Sequence, residues 1–325
     1  MSLKALSEST GFSVSTVSKV LSGKSEISEK TRRIIIDNAK EMGIYEKYSK
    51  FRPGTYTIAL IVPEFKSEYY TEMISEFSDC LKKRGAVLTV AETGFDPERT
   101  KALFSYFAYS ANTDGVIIMS DASLVKNPDR FPTLIIGADS PEPPYDCVQF
   151  DIENAVISLV KYLKDNGHRK IAYIGEELTT KKNDCFISAM RRLALTVDRD
   201  LIKINSLRFE AAGYAAMNEI LESKKRPTAV VAAYDYVAIG AIKSIREHSL
   251  KVPDDISVVG MDNISAGETL STPLTSVSVS PHEGTDALID MLIKKINNKY
   301  IRIKSDTLVH PKLIERESVK KITAE

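Results

Sequence analysis

The chain has 325 residues, more than one hydrophobic core usually organises, so two or more domains are expected. Hydrophobic residues make up 43% and charged residues 27%, which excludes general disorder, and no apolar run approaches the ~18 residues that cross a bilayer. Three cysteines (Cys80, Cys147, Cys185) and four histidines (His168, His248, His282, His310) are scattered, so no disulfide framework, metal site or cofactor is expected. The opening Met1-Ser2-Leu3-Lys4-Ala5-Leu6 lacks a secretory core, and a cytoplasmic location is expected.

A net charge of zero hides an asymmetry. Residues 1–52 carry ten Lys/Arg against six Asp/Glu, so the remaining chain is acidic by the same margin. A small basic module on an acidic body suits a polyanion-binding head, although a solvated basic tail has the same composition.

Leu3 to Thr10 is a short helix candidate that stops at Gly11. Ser13 stands at an N-cap position ahead of Val14 to Leu21. Val17, Val20 and Leu21 share one face and are expected against Leu3, Leu6 and Phe12. The opposite face, Ser15, Thr16 and Lys19, is polar and rich in donors. Ser28 caps a third helix, Glu29 to Met42, with Ile35, Ala39 and Met42 inward and Gly43 at its end. Two short helices around a glycine turn, with a third as buttress, read as a helix-turn-helix. A generic three-helix bundle fits the same pattern, but the polar second helix is slim enough for a major groove about 12 Å wide.

From Thr57 the pattern becomes α/β. Ile58 to Val62 is an apolar run of strand length, as expected for a strand buried on both faces. A helix follows through Met73, Ile74, Phe77, Cys80 and Leu81 to Gly85. Strands are expected at Ala86–Ala91, Val116–Met119 and Leu134–Ile136, with one helix over 97–111. The alternation restarts with helix Ile152–Asn166 and strand Ile171–Ile174. Helices near 183–195 and 210–223, strand Ala229–Ala233, helix Tyr236–His248 and strand Ile256–Val259 complete it. Strands alternating with helices imply right-handed crossovers and parallel sheets. Two such halves without a Gly-rich phosphate loop suggest a two-lobed small-molecule clamp and weigh against a dinucleotide enzyme or NTPase. No Gly-x-Ser-x-Gly elbow supports a hydrolase.

The run Gly11-Phe12-Ser13-Val14-Ser15-Thr16-Val17-Ser18-Lys19-Val20-Leu21-Ser22-Gly23 resembles the headpiece of the lactose repressor/purine repressor family (LacI/GalR). Ile27-Ser28-Glu29-Lys30-Thr31-Arg32 is similar to the start of that family's third helix. The resemblance extends through Gly167–Gly175, Pro227–Ala241, Val252–Asn263 and Ser271–Val277, and so spans nearly the whole chain.

The resemblance implies a transcriptional regulator, not an enzyme and most simply a repressor. Its operator affinity would be set by an effector, a sugar or sugar phosphate, bound between two lobes. The implied fold is a helix-turn-helix headpiece plus a two-lobed periplasmic-binding-protein-like body, each lobe a doubly wound parallel sheet. The headpiece would be 1–43 and the linker 44–56. The body would span 57–320, with lobe one 57–150 plus 279–305 and lobe two 151–278 plus 306–320. A homodimer on pseudo-palindromic operator DNA is implied, with no membrane partner. A transport-type binding protein would share the body but lack the basic head.

In the head, the polar helix face and the resemblance place Lys19, Ser15 and Val14 toward base edges. Ser2, Ser13, Thr16 and Ser22 are expected to contact phosphates or cap helices. The family's usual Arg and Asn are replaced by Lys19 and Ser22. The linker Tyr45 to Gly54 is shorter than the family's and lacks its Ala-Arg-x-Leu hinge. Phe51 is then either an apolar minor-groove wedge or an aromatic packed on the body.

Ligands of open α/β sheets lie beyond the carboxyl ends of the strands. Tyr69 and Tyr70 follow the first strand and either stack on the effector or line the lobe wall. Asp121 and Asp262 stand at strand ends, where a carboxylate either binds hydroxyls or caps a turn; Asp262 matches a family effector position. Lys182 replaces the family's Arg, and Tyr234 its Asn. A lysine is a point charge and not a planar clamp, so no known effector carries over directly.

Overall fold

The computed structural model describes residues 2–21, 27–45, 56–127, 131–137, 146–223, 226–279, 284–297 and 306–322; Ser22 and Phe51 lie outside them. The chain divides into two compact units, Met1–Gln149 with Pro281–Thr307 and Phe150–Ser280 with Leu308–Glu325.

The first unit begins with three helices, α1 (Leu3–Thr10), α2 (Val14–Leu21) and α3 (Glu29–Glu41). Each starts where a serine satisfies an orphan backbone donor. The Ala5, Thr16 and Thr31 N–H groups donate to the Oγ of Ser2, Ser13 and Ser28 at 3.4, 3.1 and 3.3 Å. Gly11 takes φ 72°, and its N–H returns to the Ser7 carbonyl, ending α1. Leu6, Val17, Val20, Leu21, Ile35, Ala39 and Ile44 form one buried cluster, with Leu3, Phe12 and Met42 packed against it. This is the inner face expected from periodicity.

The sheet of this unit follows. β1 (Thr57–Val62) leads to α4 (Glu68–Lys83), β2 (Val87–Glu92), α5 (Pro97–Ser105), β3 (Gly115–Ile118), β4 (Thr133–Ile136) and β5 (Asp146–Phe150). The strand order is β11-β5-β4-β3-β1-β2, with β11 at Asp306–Val309. The pairs β1–β2, β1–β3, β3–β4 and β4–β5 are all parallel. The segment expected as one helix over 97–111 instead passes from α5 into a π-helical turn, Tyr106–Ser110. The Ala111 N–H closes it on the Tyr106 carbonyl at 2.8 Å. The widened turn lets Phe104, Phe107 and Ala108 join one buried cluster beneath the sheet. Late in the chain, α11 (Thr285–Asn297) returns to this unit. Arg84, at the end of α4, binds both Asp286 and Asp290 of α11 at 2.7 Å.

The second unit repeats the plan. It contains α6 (Ile152–Asp165), β6 (Ile171–Glu176), α7 (Thr180–Arg192), β7 (Ile202–Asn205), α8 (Phe209–Glu222), β8 (Ala229–Ala232) and α9 (Asp235–Glu247). Then come β9 (Ser257–Met261), the short α10 (Ser265–Glu268), β10 (Thr275–Ser278) and β12 (Lys312–Ile314). Its strand order is β12-β10-β9-β8-β6-β7, parallel except for β10–β12. Strand β7 escaped the sequence reading because its alternation Ile-Lys-Ile-Asn is only half buried at the sheet edge. His168 is buried and satisfied, with Nδ1 3.0 Å from Thr228 Oγ1 and Nε2 3.0 Å from the Lys320 carbonyl oxygen. It is a core histidine.

Helices α8 and α9 touch closely enough to require glycine. A Cβ on Gly240 would lie 2.0 Å from the Glu210 carbonyl oxygen, an atom that cannot swing away. Replacing Gly240 by Ala should therefore lower unfolding free energy by about 1–3 kcal/mol or more. Urea denaturation checks this, and an unchanged midpoint would refute the close approach.

Candidate functional site

Two surfaces carry the sequence-predicted residues. On the head, Ser13, Val14, Ser15 and Lys19 are exposed, Val14 at 44%, and Thr16 is half-buried. The hydroxyls of Ser15 and Thr16 each lie 2.8 Å from that of Ser13. Ser2 and Ser13 thus cap helices, while Val14, Ser15 and Lys19 present a narrow outer face on α2. The buried valines of the same helix hold that face outward.

The second surface is the carboxyl edge of the sheets. In both sheets, taking the strands of each from its first in chain order, the core order is 2-1-3-4-5. The crevice of such a sheet opens where the order reverses, between its first and third strands. In the first unit Tyr69 and Tyr70 occupy the first turn of α4, edge to face at 5.2 Å and both half-buried. Asp121 Oδ1 accepts the Ser123 N–H at 2.8 Å, so this carboxylate caps its own turn.

In the second unit the switch point lies between β6 and β8, and polar groups converge there. Glu176 ends β6 and is 2% exposed. The Tyr234 hydroxyl, just past β8, donates to Glu176 Oε2 at 2.6 Å. Arg208 Nε is 2.8 Å from Glu176 Oε1, and its guanidinium lies 4.7 Å from the Phe209 ring centroid. The Phe209 N–H donates to the Tyr234 oxygen at 3.1 Å, from a backbone at φ 57°. Burial and the Glu176 carboxylate push the Tyr234 phenol well above its ordinary value. It therefore stays a donor to Glu176.

One step along the sheet, Lys182 Nζ donates to the Ala233 carbonyl at 2.9 Å and stands 3.9 Å from Asp262 Oδ1. Asp262 directly follows β9 at φ 98°, a backbone region costly for a residue with a side chain. Burial raises its carboxyl, and the Lys182 charge opposes that shift. Asp235, at the start of α9, is 1% exposed. It accepts from Ser276 Oγ at 2.7 Å and from the Ile264 N–H at 2.9 Å.

The structure thus brings Lys182, Tyr234 and Asp262 together in one unit. Glu176, Arg208 and Asp235 were missed as partners. Glu176 carried a readable signal, an acidic residue closing an apolar strand, whereas Arg208 precedes a helix with no strand cue. Among the described residues, no three or more His, Cys, Asp or Glu side chains form a group that could hold a metal, and no helix is long and apolar enough to cross a membrane.

A serine-capped helix-turn-helix on two doubly wound units, one with a polar crevice, defines a ligand-responsive DNA-binding regulator. Residues 160–319 match the periplasmic binding protein-like domain family. The chain is 30% identical to the HTH-type transcriptional repressor PurR of Histophilus somni (strain 2336), over 98% of each chain. It is 27% identical to the repressor CytR of Escherichia coli (strain K12), over 89% of this chain and 88% of that one. Among solved structures, a LacI family regulator from Lactobacillus casei with bound Tris aligns with TM-score 0.68 and 26% identity, over 81% of this chain and 99% of that one. The chain belongs to the LacI/GalR family of transcriptional regulators. It is an effector-controlled, DNA-binding repressor and not an enzyme.

The site predicts a pH signature. Burial and the Asp262 charge raise Asp235 from 3.8 to about 8, against hydrogen bonds from Ser276 and Ile264. Folded Asp235 therefore keeps a proton that the unfolded chain releases. Its contribution to stability is fully present below pH 3.8 and is lost as pH rises to about 8. Asp235→Asn should flatten that part of the stability profile, read from urea midpoints at intervals between the two values. A slope equal to that of the parent protein would contradict the assignment.

Proposed function

We propose that this repressor acts as a cytoplasmic homodimer on a pseudo-palindromic operator and answers to a sugar or sugar phosphate. In this reading residues 1–43 are the head, 44–56 the linker and 57–320 the effector-binding body. Lys19, Ser15 and Val14 read base edges; Ser2, Ser13, Thr16 and Ser22 contact phosphates or cap helices; Phe51 is the candidate wedge.

The effector is read at the second unit's switch point by Lys182, Tyr234 and Asp262. Tyr69, Tyr70 and Asp121 are the candidate contacts of the first unit, although the Asp121 carboxylate already caps its own turn. The observation that carries this is the convergence of charged and hydroxyl groups on one crevice, where Asp262 keeps a costly backbone. Lysine and carboxylate side by side suit a ligand dense in hydroxyls, which both donate and accept. The bound Tris of the Lactobacillus casei relative, a small amine bearing three hydroxyls, has chemistry of the same kind.

A thermal-shift screen of sugars, sugar phosphates and nucleobases tests the class, because a ligand stabilises its receptor by mass action. For a hit, Asp262→Ala should weaken binding by about 1–3 kcal/mol or more while leaving ligand-free operator affinity intact. A lower melting temperature with normal ligand response would instead make Asp262 a turn cap. On the head, Lys19→Ala should cost about 1–3 kcal/mol and relax preference at one base pair per half-site. Equal weakening on every sequence would make Lys19 a phosphate contact.

A further inference from the structure

The head is not isolated from the rest of its unit. Helix α3 packs against the π-helical turn Tyr106–Ser110. In its last turn, Lys40 Nζ lies 2.8 Å from Asp114 Oδ1, and the aspartate side chain is only 17% exposed. Asp114 is itself fixed on the sheet. Its Oδ2 accepts the Thr57 N–H at 2.9 Å, and its own N–H donates to the Thr57 carbonyl at 2.7 Å. Lys40 also stands 5.4 Å from the Tyr45 ring centroid. The Tyr45 hydroxyl is buried without a hydrogen-bond partner, and Ile44 beside it is 3% exposed. These contacts use the end of α3, whereas Val14, Ser15 and Lys19 on α2 remain exposed.

We propose that Asp114 is a positioning residue for DNA binding, holding the head on lobe one through Lys40 and so fixing the direction in which α2 faces. A head whose orientation is set in advance loses less freedom on reaching its operator. Docking also gives lobe one a direct grip on the head. The proposal rests on the head's DNA-binding role and is independent of the effector assignment.

The test uses the full-length protein and a duplex that it selects from a random pool. Asp114→Asn keeps an acceptor for the Thr57 N–H but removes the charge that Lys40 meets. It should weaken the selected duplex about tenfold, equivalent to about 1.4 kcal/mol, and leave affinity for unselected genomic DNA unchanged. Asp114→Lys should weaken it further, and the charge swap Lys40→Glu with Asp114→Lys should recover most of the loss. Where Asp114→Lys does not fold, Asp114→Asn is read with a second measurement. The rate at which acetic anhydride labels Lys40 should rise severalfold in Asp114→Asn. Equal labelling in both proteins overturns the ion pair, and equal selected-duplex affinity overturns its role. Tighter binding to all DNA would show that Asp114 restrains a phosphate-binding lysine, also against the proposal. Failure of the parent protein to select any duplex would count against the DNA-binding role itself.

Discussion

A carboxyl group buried at the end of apolar strands must be partnered or kept neutral, because an isolated charge in that setting costs several kcal/mol. Asp235 meets this constraint for the second unit. One carboxyl accepts from β10 through Ser276 and from the segment opening α10 through the Ile264 N–H. It also needs Gly260 on β9, since a Cβ there would fall 2.1 Å from Asp235 Oδ1. Strand β10 and the segment opening α10 are thereby hydrogen-bonded to the first turn of α9, and β9 packs closely against it at Gly260. The setting of Asp262, the carboxylate proposed to meet the effector, therefore depends on a buried neighbour tied to Ser276 and Ile264.

The same edge carries the two positions at which the resemblance implies other residue types. The resemblance implies an Arg and an Asn where Lys182 and Tyr234 stand, and both residues find local partners in the structure. The longer tyrosine reaches back to Glu176, which also holds Arg208. A lysine lacks the planar fork of arginine, but Arg208 brings a guanidinium to the same crevice from the start of α8. Its orientation is fixed by an ion pair to a buried acid and by the face of Phe209. Glu176 of β6, Arg208 ahead of α8, Phe209 at its start and Tyr234 after β8 thus form one connected network.

Much of this was legible in the sequence, for identifiable reasons. The central strands are continuous apolar runs because both their faces are covered, and the head's serine caps and glycine turn are local chemistry. Residues that act through tertiary contact were not legible. Glu176, Arg208 and Asp235 are far apart in the chain and acquire their roles only when β6, β8 and β9 lie side by side. The π-helical turn was missed because its cause is the burial of Phe104 and Phe107 in a shared cluster and not any helix-breaking residue. Strand β7 was missed because its alternation is only four residues long and none of those residues is fully buried at the sheet edge.

The two functional surfaces are built to different standards of rigidity, and this bears on how one controls the other. Crevice residues of the second unit hang from strands whose side chains are fully buried. The exposed residues proposed to meet DNA sit on an eight-residue helix held by a small cluster in which Val17, Val20 and Leu21 supply the inner face. A coupling between effector and operator is a single free energy, and it acts equally in both directions. Its size is limited by the weakest link between the two surfaces. A buried network at the effector end cannot transmit more than the head's attachment sustains. The Lys40–Asp114 contact, with one partner 43% and the other 17% exposed, is a link of modest strength. An attachment of that strength would let an effector shift the head between held and released positions at a modest cost, whereas a fully buried union would make release far more costly.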